Sequence, residues 1–364
     1  MKKVLVFMLA LALTAAFALI GCAQPAPAAS SPAPEASSPT VESAPPAESS
    51  AAASTDTGAK KKIGVAMIDL VNPFYVNMVN AGNDAAKDFN VDVTWKSSDS
   101  SLEKEISLVE NFIQQKVDCI LMDPYDAKGV IPVVEEAGKA GIPIVTMGNF
   151  VDTQYNINTL YNDFNDTKRI AEILANLIDK KGKVALIFGN DGNFCSDQRK
   201  AGFMEGMKAF PDIQVIAQPS NWDSATGLKA AQDIIAANPD LKAIHVVSDG
   251  VTLSVLQAVK GTNIIVTSYD GNVEGSQAVK DGAIKLDLLT GSKRVGYWNV
   301  KIGAQLANGE KLDQKQYLKS YFIMNDDLKA KAQEWGLTDG INIVGPDEGI
   351  KLFDAYREDL GPGK

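Results

Sequence analysis

From Lys61 onward the chain alternates short apolar runs with longer stretches in which apolar residues recur at helical spacing. The run at 62–69, Lys-Ile-Gly-Val-Ala-Met-Ile-Asp, suits a strand buried on both faces. Asn72-Pro73 then predicts a helix start, because proline at the first helical position loses only an N–H that has no partner there. Further strands are predicted at 91–96, 118–123 and 142–147, with helices at about 102–115 and 127–140. Strand starts near 62, 91, 118 and 142 lie 24 to 29 residues apart, the length of one strand-helix unit. A second series runs through 183–189, 213–218, 242–248, 263–270 and 284–289, with helices at 197–210 and 224–237 between strands. The pattern predicts an α/β fold of two doubly wound, parallel-sheet lobes. The tail is less regular: 293–308 reads as helical, 317–324 as extended, and 327–335 and 347–359 as surface helices.

Ahead of this head the pattern changes twice. Lys2 and Lys3 precede an apolar run from Val4 to Ile20, too short for a comfortable membrane span and shaped like a secretory signal. It ends Leu19-Ile20-Gly21-Cys22, which resembles the lipobox of bacterial lipoproteins and implies an acylated Cys22 as the mature N-terminus. Of the 38 residues at 23–60, 30 are Ala, Pro, Ser or Thr, a composition that cannot bury enough surface to order itself. Extended at about 3 Å per residue, such a spacer reaches on the order of 100 Å. The predicted organisation is a signal at 1–22, a linker at 23–60, and two lobes, 61–161 with 291–321 and 162–290 with 322–364.

Composition narrows the chemistry. The 364 residues carry Lys+Arg 35 against Asp+Glu 45, a formal charge of −10 that becomes −12 once Lys2 and Lys3 leave with the signal. An acidic head is a poor general binder of nucleic acid. One histidine, His245, excludes a two-His metal site and most His-based triads, and its place in an apolar strand marks a core residue. Three cysteines, Cys22, Cys119 and Cys195, form no disulfide framework; Cys119 is expected to be packed and Cys195 exposed in a loop. No phosphate loop, dinucleotide glycine fingerprint or Gly-x-Ser-x-Gly is present, so no cofactor is expected.

In open parallel sheets, ligands bind beyond the carboxyl ends of the strands. There the chain places Asn72, Phe74, Tyr75, Asp123, Gly148, Asn149, Asn190, Asp191, Trp222, Ser248, Asp249, Asp270 and Thr290. Carboxylates and amides suit hydroxyl groups, and ring faces suit the C–H faces of a sugar. Only Arg199 and Arg294 of the four arginines fall near these edges, which disfavours an anionic ligand. Local readings compete at several positions: Asn72 as helix cap, Asp270 as turn residue before Gly271, Asp249 as cap of the following helix.

Asn72-Pro73-Phe74-Tyr75, the run NFIQQKVDCILMDP at 111–124, GIPIVT at 141–146, QPSNWD at 218–223 and Tyr269-Asp270-Gly271 match one family in type and order. The chain resembles the ribose/galactose-type (type I) periplasmic substrate-binding proteins of bacterial ABC transporters, from about Lys61 to about Leu306. The resemblance implies three hinge crossings, near 161–162, 290–291 and 320–323, with closure around a monosaccharide. It also implies ligand contacts by Asn72, Phe74, Tyr75, Asn149, Asn162, Asp197, Trp222, Ser248, Asp270 and Thr290. Three positions depart from the ribose pattern: Gly148-Asn149 stands in place of Asp-Arg, and Asp197 in place of Arg. Those changes point away from ribose itself toward another small neutral sugar or polyol, while Asp197, Asp249 and Asp270 leave room for a cationic solute.

The expected protein is thus a monomeric, non-enzymatic solute receptor, exported and held to the membrane only by lipid, which hands a sugar or polyol to an ABC permease. A ligand sensor that presents its closed form to a chemoreceptor or sensor kinase fits the same features. A carboxylate-dependent glycosidase is the third reading. The repressors that share this fold need an N-terminal helix-turn-helix, where this chain has its signal and spacer.

Overall fold

The computed structural model describes residues 59–358. The signal, the lipobox Cys22 and nearly all of the 23–60 linker lie outside the described residues. The first sheet orders its strands β2-β1-β3-β4-β5-β11: β1 (Lys61–Met67), β2 (Val91–Ser97), β3 (Cys119–Met122), β4 (Ile144–Met147), β5 (Asn156–Leu160) and β11 (Lys315–Tyr317). All its pairs are parallel. The second sheet runs β7-β6-β8-β9-β10-β12-β13: β6 (Gly182–Phe188), β7 (Ile213–Pro219), β8 (Leu241–Val246), β9 (Ile265–Thr267), β10 (Leu286–Leu289), β12 (Tyr321–Met324) and β13 (Ile343–Val344). One of its pairs, β10 with β12, is antiparallel.

Helices cover both faces of each sheet, which is why central strands such as β3 are apolar and buried at every position. On the first sheet, α1 (Pro73–Asp88) and α9 (Ser292–Ala307) lie over one core, and α2 (Leu102–Gln114) and α3 (Ile131–Lys139) over the other. On the second sit α4 (Asp163–Leu177), α5 (Phe194–Met207), α6 (Ser224–Ala237), α7 (Asp249–Ala258), α8 (Val273–Lys280), α10 (Asp326–Glu334) and α11 (Pro346–Asp354). The central helix pair of each lobe meets backbone to backbone at a glycine. A Cβ on Gly296 would fall 2.1 Å from the Met78 carbonyl oxygen of α1, and one on Gly202 would fall 2.1 Å from that of Phe164 in α4.

The chain passes between the sheets three times: from β5 to α4 at 161–162, from β10 to α9 at 290–291, and from β11 to β12 at 318–320. The two-lobe α/β fold with a three-crossing hinge is therefore as the sequence predicts. The stretch 317–324 is extended on both sides of a crossing, as expected, but the crossing falls at 318–320 rather than 320–323, with the end of β11 in one sheet and β12 in the other. After α11 the chain returns to the first lobe, where the Tyr356 hydroxyl donates to Asp84 at 2.7 Å and Arg357 Nε lies 3.1 Å from Asp88.

Candidate functional site

The carboxyl ends of both sheets border one cavity of about 420 Å³. From the first lobe come Asp69, Asn72, Phe74 and Tyr75 after β1, Asp123 and Tyr125 after β3, Met147, Gly148 and Asn149 at the end of β4, and Tyr161 at the first crossing. From the second come Asn190, Asn193, Cys195 and Arg199 after β6, Asn221 and Trp222 after β7, Ser248 after β8 and Asp270 after β9.

The first wall is built by local capping. Asp69 Oδ1 accepts from the Val71 and Asn72 N–H groups, both at 2.8 Å, and turns the chain into α1. Asn72 Oδ1 accepts from the Phe74 N–H at 2.9 Å, so Asn72 is a helix cap and a cleft residue at once. Phe74 and Tyr75 meet edge to face, ring centres 5.8 Å apart, and both stay half-buried against the core. Behind them Asn149 Nδ2 donates to Asp123 Oδ1 at 2.9 Å. Burial pushes the Asp123 carboxyl up to about 7, with Asp69 adding to the rise and the Tyr75 and Asn149 bonds opposing it. Burial, then the neighbouring Asp123, raises the Tyr75 hydroxyl well above its ordinary value.

The second wall is built around one arginine. Arg199 Nε donates to Asp163 Oδ1 at 2.8 Å, and its Nη1 to the Val247 carbonyl at 2.7 Å and Asp270 Oδ1 at 3.2 Å. The guanidinium carbon lies 3.7 Å from the Tyr269 ring centre and 5.9 Å from that of Trp222. Trp222 holds a left-handed backbone (φ +61°), and its ring lies on Gly189, where a Cβ would come within 2.3 Å of it. Beneath the wall, Asp249 accepts from the Ser268 hydroxyl at 2.6 Å and the Asn272 N–H at 2.8 Å. Burial and then Asp270 push Asp249 up to about 8, and burial and then Asp249 raise Asp287. One oxygen of each would lie 2.4 Å from a Cβ on Gly275, so only glycine fits beside this carboxylate pair.

Seven of the ten expected contacts line the cleft: Asn72, Phe74, Tyr75, Asn149, Trp222, Ser248 and Asp270. Three stand apart from it. Asn162 sits at the first crossing, its Nδ2 donating to Asp166 at 3.3 Å. Thr290 is buried in the second crossing, where its carbonyl accepts from Arg294 at 3.0 Å. Asp197 accepts from the Gly192 N–H at 3.3 Å, because two residues along a helix reverse direction and Arg199 takes the inward position. Asp123, Asn190 and Arg199 were visible as strand-edge residues without counting among the ten, and Asn221 only as part of the run 218–223; Asp69, Tyr125 and Asn193 carry no signal beyond following a strand. Cys195 corrects the expectation of an exposed loop thiol. It is buried in the first turn of α5, its N–H donating to Asn149 at 3.2 Å and its thiol to the Gly148 carbonyl at 3.0 Å, across the cleft. His245 is a core residue paired on one nitrogen, Nδ1 lying 3.0 Å from Thr267 Oγ1; burial pushes it down to about 3. Among the described residues no group of three or more His, Cys, Asp or Glu is arranged to hold a metal ion, and no helix is long and apolar enough to cross a membrane.

Two α/β lobes with a ligand-sized cleft at facing strand ends define a hinged solute-binding protein. Residues 63–311 match the periplasmic binding protein domain, and the chain belongs to that family. It is 27% identical over 270 residues to the ribose import binding protein of Bacillus subtilis (strain 168), covering 72% of this chain and 88% of the relative. It is 26% identical over 265 residues to the D-allose-binding periplasmic protein of Escherichia coli (strain K12), covering 68% and 85%. The crystal structure of an ABC transporter periplasmic solute-binding protein from Actinobacillus succinogenes 130z with bound D-allose superposes with a TM-score of 0.69. That structure shares 27% identity, over 74% of this chain and all of the other. The chain is thus an extracytoplasmic solute-binding protein, and its relatives are binding proteins.

Proposed function

We propose that this protein captures a small neutral sugar or polyol between its lobes and delivers it to an ABC permease for import. One observation carries the ligand class. Arg199 is the sole basic residue lining the cleft among the described residues, and its charge is balanced by Asp163 and Asp270, with Nε and Nη1 bonded to Asp163, Val247 and Asp270. What remains for a solute is rings, amides, hydroxyls and carboxylates, which match hydroxyl groups and C–H faces and repel anions. The sugars named for the relatives support the same class. Asn72, Phe74, Tyr75, Asn149, Trp222, Ser248 and Asp270 form the contact set, to which Asp123 is added.

The lobes are 61–161 with 291–317 and 162–290 with 321–354, the chain after α11 returning to the first lobe, and they close about the three crossings. Cys22 is acylated, the 23–60 segment spaces the head from the membrane, and the head acts as a monomer without cofactor. The test is mass spectrometry of the small molecule released on denaturing the purified head. A pentose, hexose or polyol is expected; an amino acid, a metal complex or an anionic metabolite would overturn the ligand class. Isolating the mature protein with an acyl group on Cys22 tests the anchor.

A further inference from the structure

Tyr161 directly follows β5 and opens the first crossing, yet its ring reaches the end of β4. A Cβ on Gly148 would fall 3.1 Å from Cε2 of that ring, 3.4 Å from its hydroxyl oxygen and 3.6 Å from Cys195 Sγ. Gly148 holds φ at +71°, where a side chain would be strained as well as crowded. Its backbone is fixed on both sides: its N–H donates to the Thr159 carbonyl at 2.7 Å and its carbonyl accepts from the Cys195 thiol at 3.0 Å. Gly148, Tyr161 and Cys195 all border the cavity. The Tyr161 ring also packs against the first lobe's core, so packing sets where its hydroxyl sits. That hydroxyl is placed but unspent. The hydroxyls of Tyr269, Tyr297 and Tyr356 donate to Asp163, Asp88 and Asp84, whereas among the described residues no group bonds to that of Tyr161. Burial, then Cys195 and Asp123, raises it well above its ordinary value, so it stays a neutral donor.

We propose that Tyr161 is a specificity-determining solute contact: its hydroxyl bonds one hydroxyl group of the bound sugar or polyol, over the space that glycine at 148 leaves open. This rests on the reading of the cleft as the solute site. A buried tyrosine hydroxyl ordinarily finds a partner, and the cavity is where this one can find it. A phenol both donates and accepts, as a sugar hydroxyl does, whereas an ionised carboxylate only accepts. A solute without a hydroxyl at that point would close the cleft over an unpaired polar group, and the site would reject it. The contact comes from the hinge segment itself rather than from a strand-end loop of either sheet.

The test is Tyr161→Phe, which keeps the ring in the core. Without ligand, its melting temperature should stay within about 1 °C of wild type, because the hydroxyl bonds no protein group. A larger loss would give the hydroxyl to the fold and overturn the proposal. Both proteins are then titrated calorimetrically with pentoses, hexoses and polyols, D-ribose and D-allose among them. The compound that binds wild type should bind Tyr161→Phe about tenfold or more weakly. Monodeoxy analogues of that compound follow. One of them should bind wild type about tenfold or more weakly than its parent, yet bind Tyr161→Phe about as well as the parent does. Unchanged affinity in Tyr161→Phe, or deoxy losses equal in the two proteins at every position, overturns the proposal. If wild type binds no sugar or polyol, the proposed function fails, and native mass spectrometry of the co-purified small molecule decides the role of Tyr161. Lower occupancy in Tyr161→Phe supports the contact, and equal occupancy overturns it.

Discussion

The two walls of the cleft face one cavity with different chemistry. The first, from Asn72 to Asn149, has no basic residue; its polar groups bond to one another and to helix ends, and burial pushes its Asp123 carboxyl up to about 7. The second is an ion network, Arg199 between Asp163 and Asp270, over the buried Asp249 and Asp287. Rings and amides can exchange water for a sugar face with little rearrangement. A buried ion pair cannot lose one partner without stranding the other charge, at a cost of about 3–5 kcal/mol, so it keeps its geometry. The difference teaches a division of labour: the first wall selects by shape and hydrogen bonding, and the second supplies a fixed seat tied to the hinge.

That comparison breaks most sharply at Trp222, the ring the second wall contributes. Trp222→Ala is expected to weaken sugar binding about a hundredfold or more in calorimetric titration, as for a buried aromatic hot spot. Because the ring also packs on Gly189 and the core beneath it, the variant should lose roughly 2–3 kcal/mol in chemical denaturation. Asn149→Ala on the first wall should be milder. It removes the bonds to Asp123 and the Cys195 N–H, about 1–2 kcal/mol together, and should weaken binding roughly tenfold. Equal losses at the two positions would dissolve the distinction.

The pH dependence of stability sharpens it further. Burial raises Asp123 and Asp166 to about 7 and Glu105 and Asp249 to about 8. Unfolded carboxyls titrate near about 4, so between there and 8 the folded state holds more protons, and these groups cost stability as pH rises. His245, pushed down to about 3, acts oppositely but only below its unfolded value of about 6.5. The ligand-free head should therefore melt higher at pH 6 than at pH 8, by roughly 2–4 °C for each kcal/mol. Glu105→Gln should flatten that slope. Away from the cleft, Tyr356→Phe loses one bond to Asp84 and should cost only about 0.5–1 kcal/mol.

Much of the fold was legible because the central strands are continuous apolar runs at strand-helix spacing, and Asn72-Pro73 marks the first helix start. Strand β5 was not: Asn156 and Asn158 break its apolar pattern, yet both are buried and bonded to Thr146 and the Val151 loop. The exact position of the crossing within 317–324 was hidden because both flanks are extended; only their sheet partners separate them. At the site, strand-end position found residues on both walls. It could not tell Asp197 from Arg199, since the rotation of α5 sets which one faces inward, and packing against α4 sets that rotation. Nor could it pair Gly148 with Cys195, a contact between residues from two lobes.

The central claim is a cleft that takes a neutral, hydroxyl-rich solute. Isothermal titration of residues 61–364, stripped of any co-purified molecule, against pentoses, hexoses, polyols, a sugar acid and an amino sugar tests it most directly. The account predicts saturable heat with at least one neutral sugar or polyol and none with the sugar acid. Heat only with the sugar acid, or with none of the neutral compounds, would contradict it.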